Sequence, residues 1–190
     1  MLEQAVSAGK AYKAGTARPL EGIPMGLKGN IDAVGSPTSG GTPALKDHFP
    51  KFNCTLWERL SAYGMINGGK TNLHELSFGT TSDNGLYGSA KSAMDATRSA
   101  GGSSGGSGGV VGTGTLPFAL GTDTGGSIRI PATCNGVVGY KPTINRWPAD
   151  YGLKMSHWRD TIGCLAVNVE DACFVDEIVH NEQPMQEPRP

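Results

Sequence analysis

The sequence predicts an α/β domain, a β-sheet with both faces covered by helices, and three observations carry that prediction. Short apolar segments bounded by glycine or proline alternate with segments whose apolar residues recur at helical spacing. The 190 residues are enough for one domain with its own core. The 29 glycines, about twice ordinary usage, punctuate apolar segments, and only 17% of residues are charged, which favours tight turns and close backbone approaches over disorder.

Taken in order, residues 2–14 read as a short helix that stops before Gly15. Residues 22–31, G-I-P-M-G-L-K-G-N-I, alternate apolar and small residues as a strand does, with Lys28 near its end. A loop over 35–50 holds a turn at 43–46. Residues 55–63 place Leu56, Leu60 and Tyr63 on one face of a helix that Gly64 ends. A strand at 65–69, a helical turn at 72–76 and a long loop over 79–100 follow. Residues 104–114 predict a glycine-rich helix packed closely between other elements, and 116–120 a buried strand. A turn enters another helix over 126–134, 137–140 is a strand, and 169–179 is an amphipathic helix with acidic residues at its start. The domain is expected over 1–180, with a disordered tail over 181–190.

Several function classes are excluded by composition. The net charge is −1 with scattered lysines and arginines, so neither nucleic acid nor an anionic membrane surface is an expected partner. No run approaches the roughly 18 apolar residues of a membrane span, and the N-terminus lacks a secretory pattern, so a cytoplasmic location is expected. Cys54, Cys134, Cys164 and Cys173 form no C-x-x-C pair, and His48, His74, His157 and His180 show no H-E-x-x-H spacing. No metal or cofactor is expected.

The chain is organised around residues 99–131, two serine-bearing glycine clusters joined by the apolar run 116–120. A flexible linker has no use for Phe118, Leu120, Ile128 and Ile130. Gly125 and Gly126 before Ser127 permit a sharp turn whose N–H groups point one way, a place for an anion. That anion is either a phosphate or the oxyanion of an acyl intermediate formed on Ser127. Residues 64–71, G-M-I-N-G-G-K-T, match the phosphate-binding pattern G-x-x-x-x-G-K-T by letter, but a helix precedes them where a strand is needed. A P-loop NTPase is therefore the remote alternative. For acyl transfer, no histidine stands near Ser127 in sequence. Lys28, its pKa lowered by burial, serves as the base, and Ser103 bridges it to Ser127.

These residues carry a family resemblance. The stretch over 101–143, with G-G-S-S-G-G-S, G-T-D-T-G-G-S-I-R-I-P-A and G-V-V-G-Y-K-P-T, resembles the amidase signature family. G-I-P-M-G-L-K-G-N-I around Lys28, G-K-T-N-L-H-E-L around Lys70, and D-T-I-G and V-E-D-A over 160–172 extend the resemblance from about residue 18 to about 179. It implies a mixed β-sheet core covered on both faces and a Ser-Ser-Lys triad: Ser127 as nucleophile, Ser103 as bridge after a cis peptide, Lys28 as base. It further implies an oxyanion hole on the amides of Thr124, Gly125, Gly126 and Ser127, with Ser104, Asp123 and Arg129 in support. The reaction implied is hydrolysis of a small-molecule amide through an acyl-enzyme.

The sequence departs from the family pattern in three ways. Gly29 stands where an aspartate is usual, which is expected to loosen Lys28, and Ala100 stands where a proline is usual. Members are usually more than twice as long, so the C-terminal half of the fold is expected to be missing. An open sheet edge would then invite a second copy of the chain, and an inactive or partner-dependent fragment is the main alternative to a working amidase. S-I-R-I-P-A is nearer to small aryl or alkyl amide hydrolases than to tRNA-dependent amidotransferase subunits, which commonly have glutamine where Ile130 stands.

Overall fold

The structure, a computed structural model, describes residues 1–181. Its helices are α1 (Leu2–Lys13), α2 (Thr55–Ala62), α3 (Gly105–Gly112), α4 (Arg129–Asn135) and α5 (Val169–Asn181). Its strands are β1 (Pro24–Lys28), β2 (Ile66–Thr71), β3 (Phe118–Asp123), β4 (Val138–Tyr140) and β5 (Thr161–Ala166), with single 3-10 turns at Pro43–Leu45 and Glu75–Ser77. The expected tail over 181–190 lies outside the described residues except for Asn181, which closes α5.

The strands form one mixed sheet in the order β2-β1-β3-β5-β4. β1 pairs in parallel with both β2 and β3, and β5 runs antiparallel to β3 and β4. The sequence reading assigned no strand to β5. All six of its residues, T-I-G-C-L-A, are buried, so the alternation of apolar and polar residues that marks a half-exposed strand is missing.

Alternation within the inner strands divides the core. Phe118, Leu120, Ile162 and Cys164 face Leu56 and Leu60 of α2 and Val175 and Val179 of α5. Ala119 and Leu165 face the other way, against Val111 of α3 and Ala132 of α4. Helices therefore cover both faces, as the sequence predicts. The small side chains of α3 allow it to lie close to its neighbours. At Gly106 the amide donates to Asn72 O at 2.9 Å, and an added Cβ would run into the Asn72 backbone.

Asp176 on α5 locks the far edge of the sheet. Its carboxylate accepts from Trp147 Nε1 at 2.8 Å, Arg146 Nε at 2.8 Å and Tyr140 OH at 3.1 Å. Burial opposes its ionisation, but the hydrogen bonds from Arg146, Trp147 and Tyr140 outweigh that and hold its pKa below the ordinary carboxylate value. A depressed carboxyl pKa contributes stability at neutral pH that is lost as pH falls through the folded-state value. Asp176→Ala leaves the fully buried Trp147 without its acceptor and is expected to lower stability by about 2–4 kcal/mol in urea unfolding at pH 7. The deficit should shrink toward pH 3. A deficit independent of pH would show that the carboxylate is not what holds this edge.

Candidate active site

Parallel pairing brings the C-terminal ends of β1 and β3 side by side, with Leu27 opposite Leu120. Lys28, the last residue of β1, therefore lies beside the end of β3, where open α/β sheets carry their sites. Its side chain is fully buried. Nζ donates to Ser103 Oγ at 2.7 Å and to Thr122 Oγ1 at 2.8 Å. Desolvation lowers its pKa to about 7, against the opposing pull of Asp123 and Asp160.

Ser103 and Ser104 sit at the entrance to α3, both fully buried, and the Gly102–Ser103 peptide bond is cis. Ser104 ties the two glycine clusters together. Its amide donates to Ser127 O at 3.1 Å and its hydroxyl to Thr122 O at 3.3 Å. Ser127 itself is half-buried, and its hydroxyl makes no hydrogen bond to Ser103 or to any other described residue. Geometry thus joins Lys28 to Ser103 directly and brings Ser127 alongside through the backbone.

The loop before Ser127 is shaped by Asp123, which is fully buried. Its carboxylate accepts from Gly126 N at 2.8 Å, Ile128 N at 3.1 Å, and both Arg129 Nε at 3.1 Å and Nη2 at 3.0 Å. Burial opposes its charge, but these donors keep its pKa below the ordinary value. Gly126 has φ +126°, a conformation that a side chain would strain, and it turns the chain into Ser127 and α4. The remaining amides of the turn, at Thr124, Gly125 and Ser127, are those an anion could use.

The P-loop alternative does not survive. Residues 66–71 of that pattern are strand β2, no helix begins at Lys70, and its Nζ donates to Ile31 O and, at 3.4 Å, to Thr38 Oγ1. Lys28, beside Gly29, is held by two hydroxyls. A Cβ at position 29 would meet Leu73 Cδ2 at 2.9 Å, so glycine fits this packing. Ala100 N donates to Ala90 O at 3.1 Å, a bond that proline could not make.

The comparisons with known proteins show the family. The sequence model of the Amidase family matches residues 1–190. The chain belongs to that family. It is 44% identical to a mandelamide hydrolase of Pseudomonas putida, over 98% of this chain and 38% of that protein. It is 39% identical to an indoleacetamide hydrolase of Pseudomonas savastanoi, over 92% of this chain and 38% of that protein. A crystal structure of an amidase superposes with a TM-score of 0.89 at 40% identity, covering 97% of this chain and 43% of that one. The chain therefore spans well under half the length of the Amidase relatives it matches.

Three polar residues of this Amidase core escaped the sequence reading. Thr122 Oγ1 accepts from both Lys28 and Asn30, the latter at 3.1 Å. Asp160 accepts from Thr124 Oγ1 at 2.5 Å. All three lie inside motifs quoted from the sequence, G-L-K-G-N-I, G-T-D-T-G-G-S and D-T-I-G, but which side chains they meet is set by the register of β1 on β3 and of β3 on β5. Among the described residues, no helix is long and apolar enough to cross a membrane.

A lysine whose folded pKa lies near 7 binds fewer protons than the unfolded chain between pH 7 and its ordinary value, so stability rises with pH there. Lys28→Met removes that contribution, whereas Lys70, lowered by burial to about 8, keeps its own. The stability of wild type relative to Lys28→Met is expected to grow between pH 7 and pH 9, with a slope approaching about 1.4 kcal/mol per pH unit. Urea titrations at pH 7, 8 and 9 measure it. A constant difference would mean that the buried amine stays protonated.

Proposed function

We propose that the chain carries the catalytic centre of an amidase that hydrolyses carboxylic amides through an acyl-enzyme on Ser127. The observation that carries this reading is the fully buried Lys28 amine, poised near neutrality and 2.7 Å from Ser103 Oγ. A neutral amine can accept a proton, and a hydroxyl can accept one while donating its own. Ser127 Oγ then attacks the amide carbon, its proton passing to Ser103 as the proton of Ser103 passes to Lys28. The tetrahedral oxyanion rests on the amides of Thr124, Gly125 and Ser127. The Gly126 amide, which donates to Asp123, shapes the hole from behind. Expulsion of the amine or ammonia takes the proton back along the same path, and water repeats the sequence to release the acid. Ser104, Asp123 and Arg129 hold the two loops in place.

The substrate reading is a small aryl or alkyl carboxamide. It is supported by the likeness to a mandelamide hydrolase and by Ile130 in S-I-R-I-P-A. A second reading, acyl chemistry only once more protein is added, has its own support. An apolar groove of about 380 Å³ opens between the start of β1 and α5, lined by Leu20, Ile23, Met65, Phe118 and Phe174. Another copy of the chain, pairing along edge strand β2 or β4, is one way that surface could be added.

Intact-mass analysis after exposure to a fluorophosphonate probe tests the proposal. One adduct is expected on wild type, none on Ser127→Ala, and labelling at least about 100-fold slower on Lys28→Ala. The wild-type rate should rise with pH through a midpoint of about 7. A folded wild type that takes no adduct would remove the reading that this chain alone does acyl chemistry.

A further inference from the structure

Asp160 belongs to no step of the mechanism above, yet it is 6% exposed and carries as many donors as a functional carboxylate. It stands immediately before β5, and because Asp123 pairs with Thr161 across β3 and β5, it faces the loop just after β3. One of its oxygens, Oδ1, accepts from Thr124 Oγ1 at 2.5 Å. The other, Oδ2, accepts from Tyr151 OH at 2.8 Å and Met155 N at 2.7 Å. Burial works against its charge, and these donors more than compensate, keeping it ionised.

The segment that Asp160 grips is in turn fastened to the backbone just beyond Lys28. Asp32 N donates to Tyr151 O at 2.8 Å, and Leu153 N to Asn30 O at 3.1 Å. Asn30 Nδ2 donates to Leu153 O at 3.2 Å and to Thr122 Oγ1 at 3.1 Å. Asp123 thus holds the oxyanion turn from its Gly126 side, and Asp160 holds it from its Thr124 side. Through residues 151–155 the same carboxylate is linked to the end of the strand that carries the base.

We propose that Asp160 is a positioning residue for the amidase reaction: by fixing the Thr124 side chain it fixes the direction of the first amide of the oxyanion hole. The proposal rests on the Ser127 reading. Oxyanion donors act by being oriented before charge develops, so a donor left to swing costs rate and not affinity. Asp160 also faces Lys28 at longer range, together with Asp123, whose charge Arg129 largely answers.

The test follows the inactivation rate constant kinact and the half-saturation concentration KI of the fluorophosphonate probe, whose phosphoryl oxygen occupies the hole. Asp160→Asn and Thr124→Val are each expected to lower kinact at least about tenfold, with KI within about threefold of wild type. Because both act through one hydrogen bond, the double variant should be no slower than the worse single variant. Tyr151→Phe, which removes a donor from the other oxygen, should leave kinact within about threefold. Removing the carboxylate charge favours the neutral amine, so Asp160→Asn should also move the labelling midpoint below about 7, while Thr124→Val leaves it in place. If Asp160→Asn does not fold, Thr124→Val and Tyr151→Phe still decide the matter. Thr124→Val at the wild-type kinact, or two effects that multiply in the double variant, would overturn the proposal while Ser127-dependent labelling stands. A wild type without Ser127 labelling overturns both readings together.

Discussion

The buried amine of Lys28 is the constraint on which the rest depends. A charged ammonium without water is costly, and among the described residues no carboxylate touches it. Its two partners are hydroxyls, Ser103 and Thr122. Desolvation pushes it toward the neutral form, while Asp123 and Asp160 pull the other way through space, leaving the balance at about 7. The two carboxylates can act only from a distance because each is already engaged: Asp123 by Arg129 and two amides, Asp160 by Thr124, Tyr151 and Met155. A carboxylate free to swing onto Lys28 would form an ion pair and hold the amine protonated, against the role proposed for it.

Close packing beside this site depends on glycine backbone. α3 enters between the Asn72 segment, α4 and the sheet because glycines leave no side chains there, and Ser107 fastens it by hydrogen bonds to Leu120 O at 2.9 Å and Thr71 Oγ1 at 2.6 Å. The result places Ser103 and Ser104 in the bend that leads into a packed helix and Lys28 and Thr122 on adjacent strands. The turn over 124–127 is also loop, and it is held at both ends by Asp123 and Asp160. Precision comes from elements that cannot move independently of the core.

Much of this was legible in the sequence, and what was not has a physical cause. Glycine boundaries marked α1, α2, β1 and β2 to within a few residues, because turn chemistry is local. The G-G-S-S and G-G-S clusters marked Ser103 and Ser127, because close backbone approach leaves a compositional trace. β5 left none, since burial on both faces erases alternation. Thr122 and Asp160 also lie in quoted motifs, but their partners follow from strand register, which links residues scores of positions apart. Lys28 and Ser103 were singled out because a serine nucleophile calls for a base and a bridging hydroxyl.

Lys28 is fully buried and Lys70 half-buried, and the two differ also in the chemistry of their partners. They lie on neighbouring strands one register step apart, Lys70 opposite Leu27 and Lys28 opposite Thr71. Desolvation lowers both, to about 8 and about 7. Lys70, however, donates to the carbonyl of Ile31, an oxygen that can only accept, and at 3.4 Å to the Thr38 hydroxyl. Every loss of its proton weakens that bond, so the contact favours the ammonium and the lysine serves to pin the chain beyond β1. Lys28 meets two hydroxyls, and a hydroxyl can turn its proton outward or inward as the amine requires. On losing a proton the amine can accept from one of them through its single lone pair while still donating to the other. By letters alone the lysine of G-K-T carried the stronger motif, and the difference in partners is what favours Lys28 in the proposed reaction.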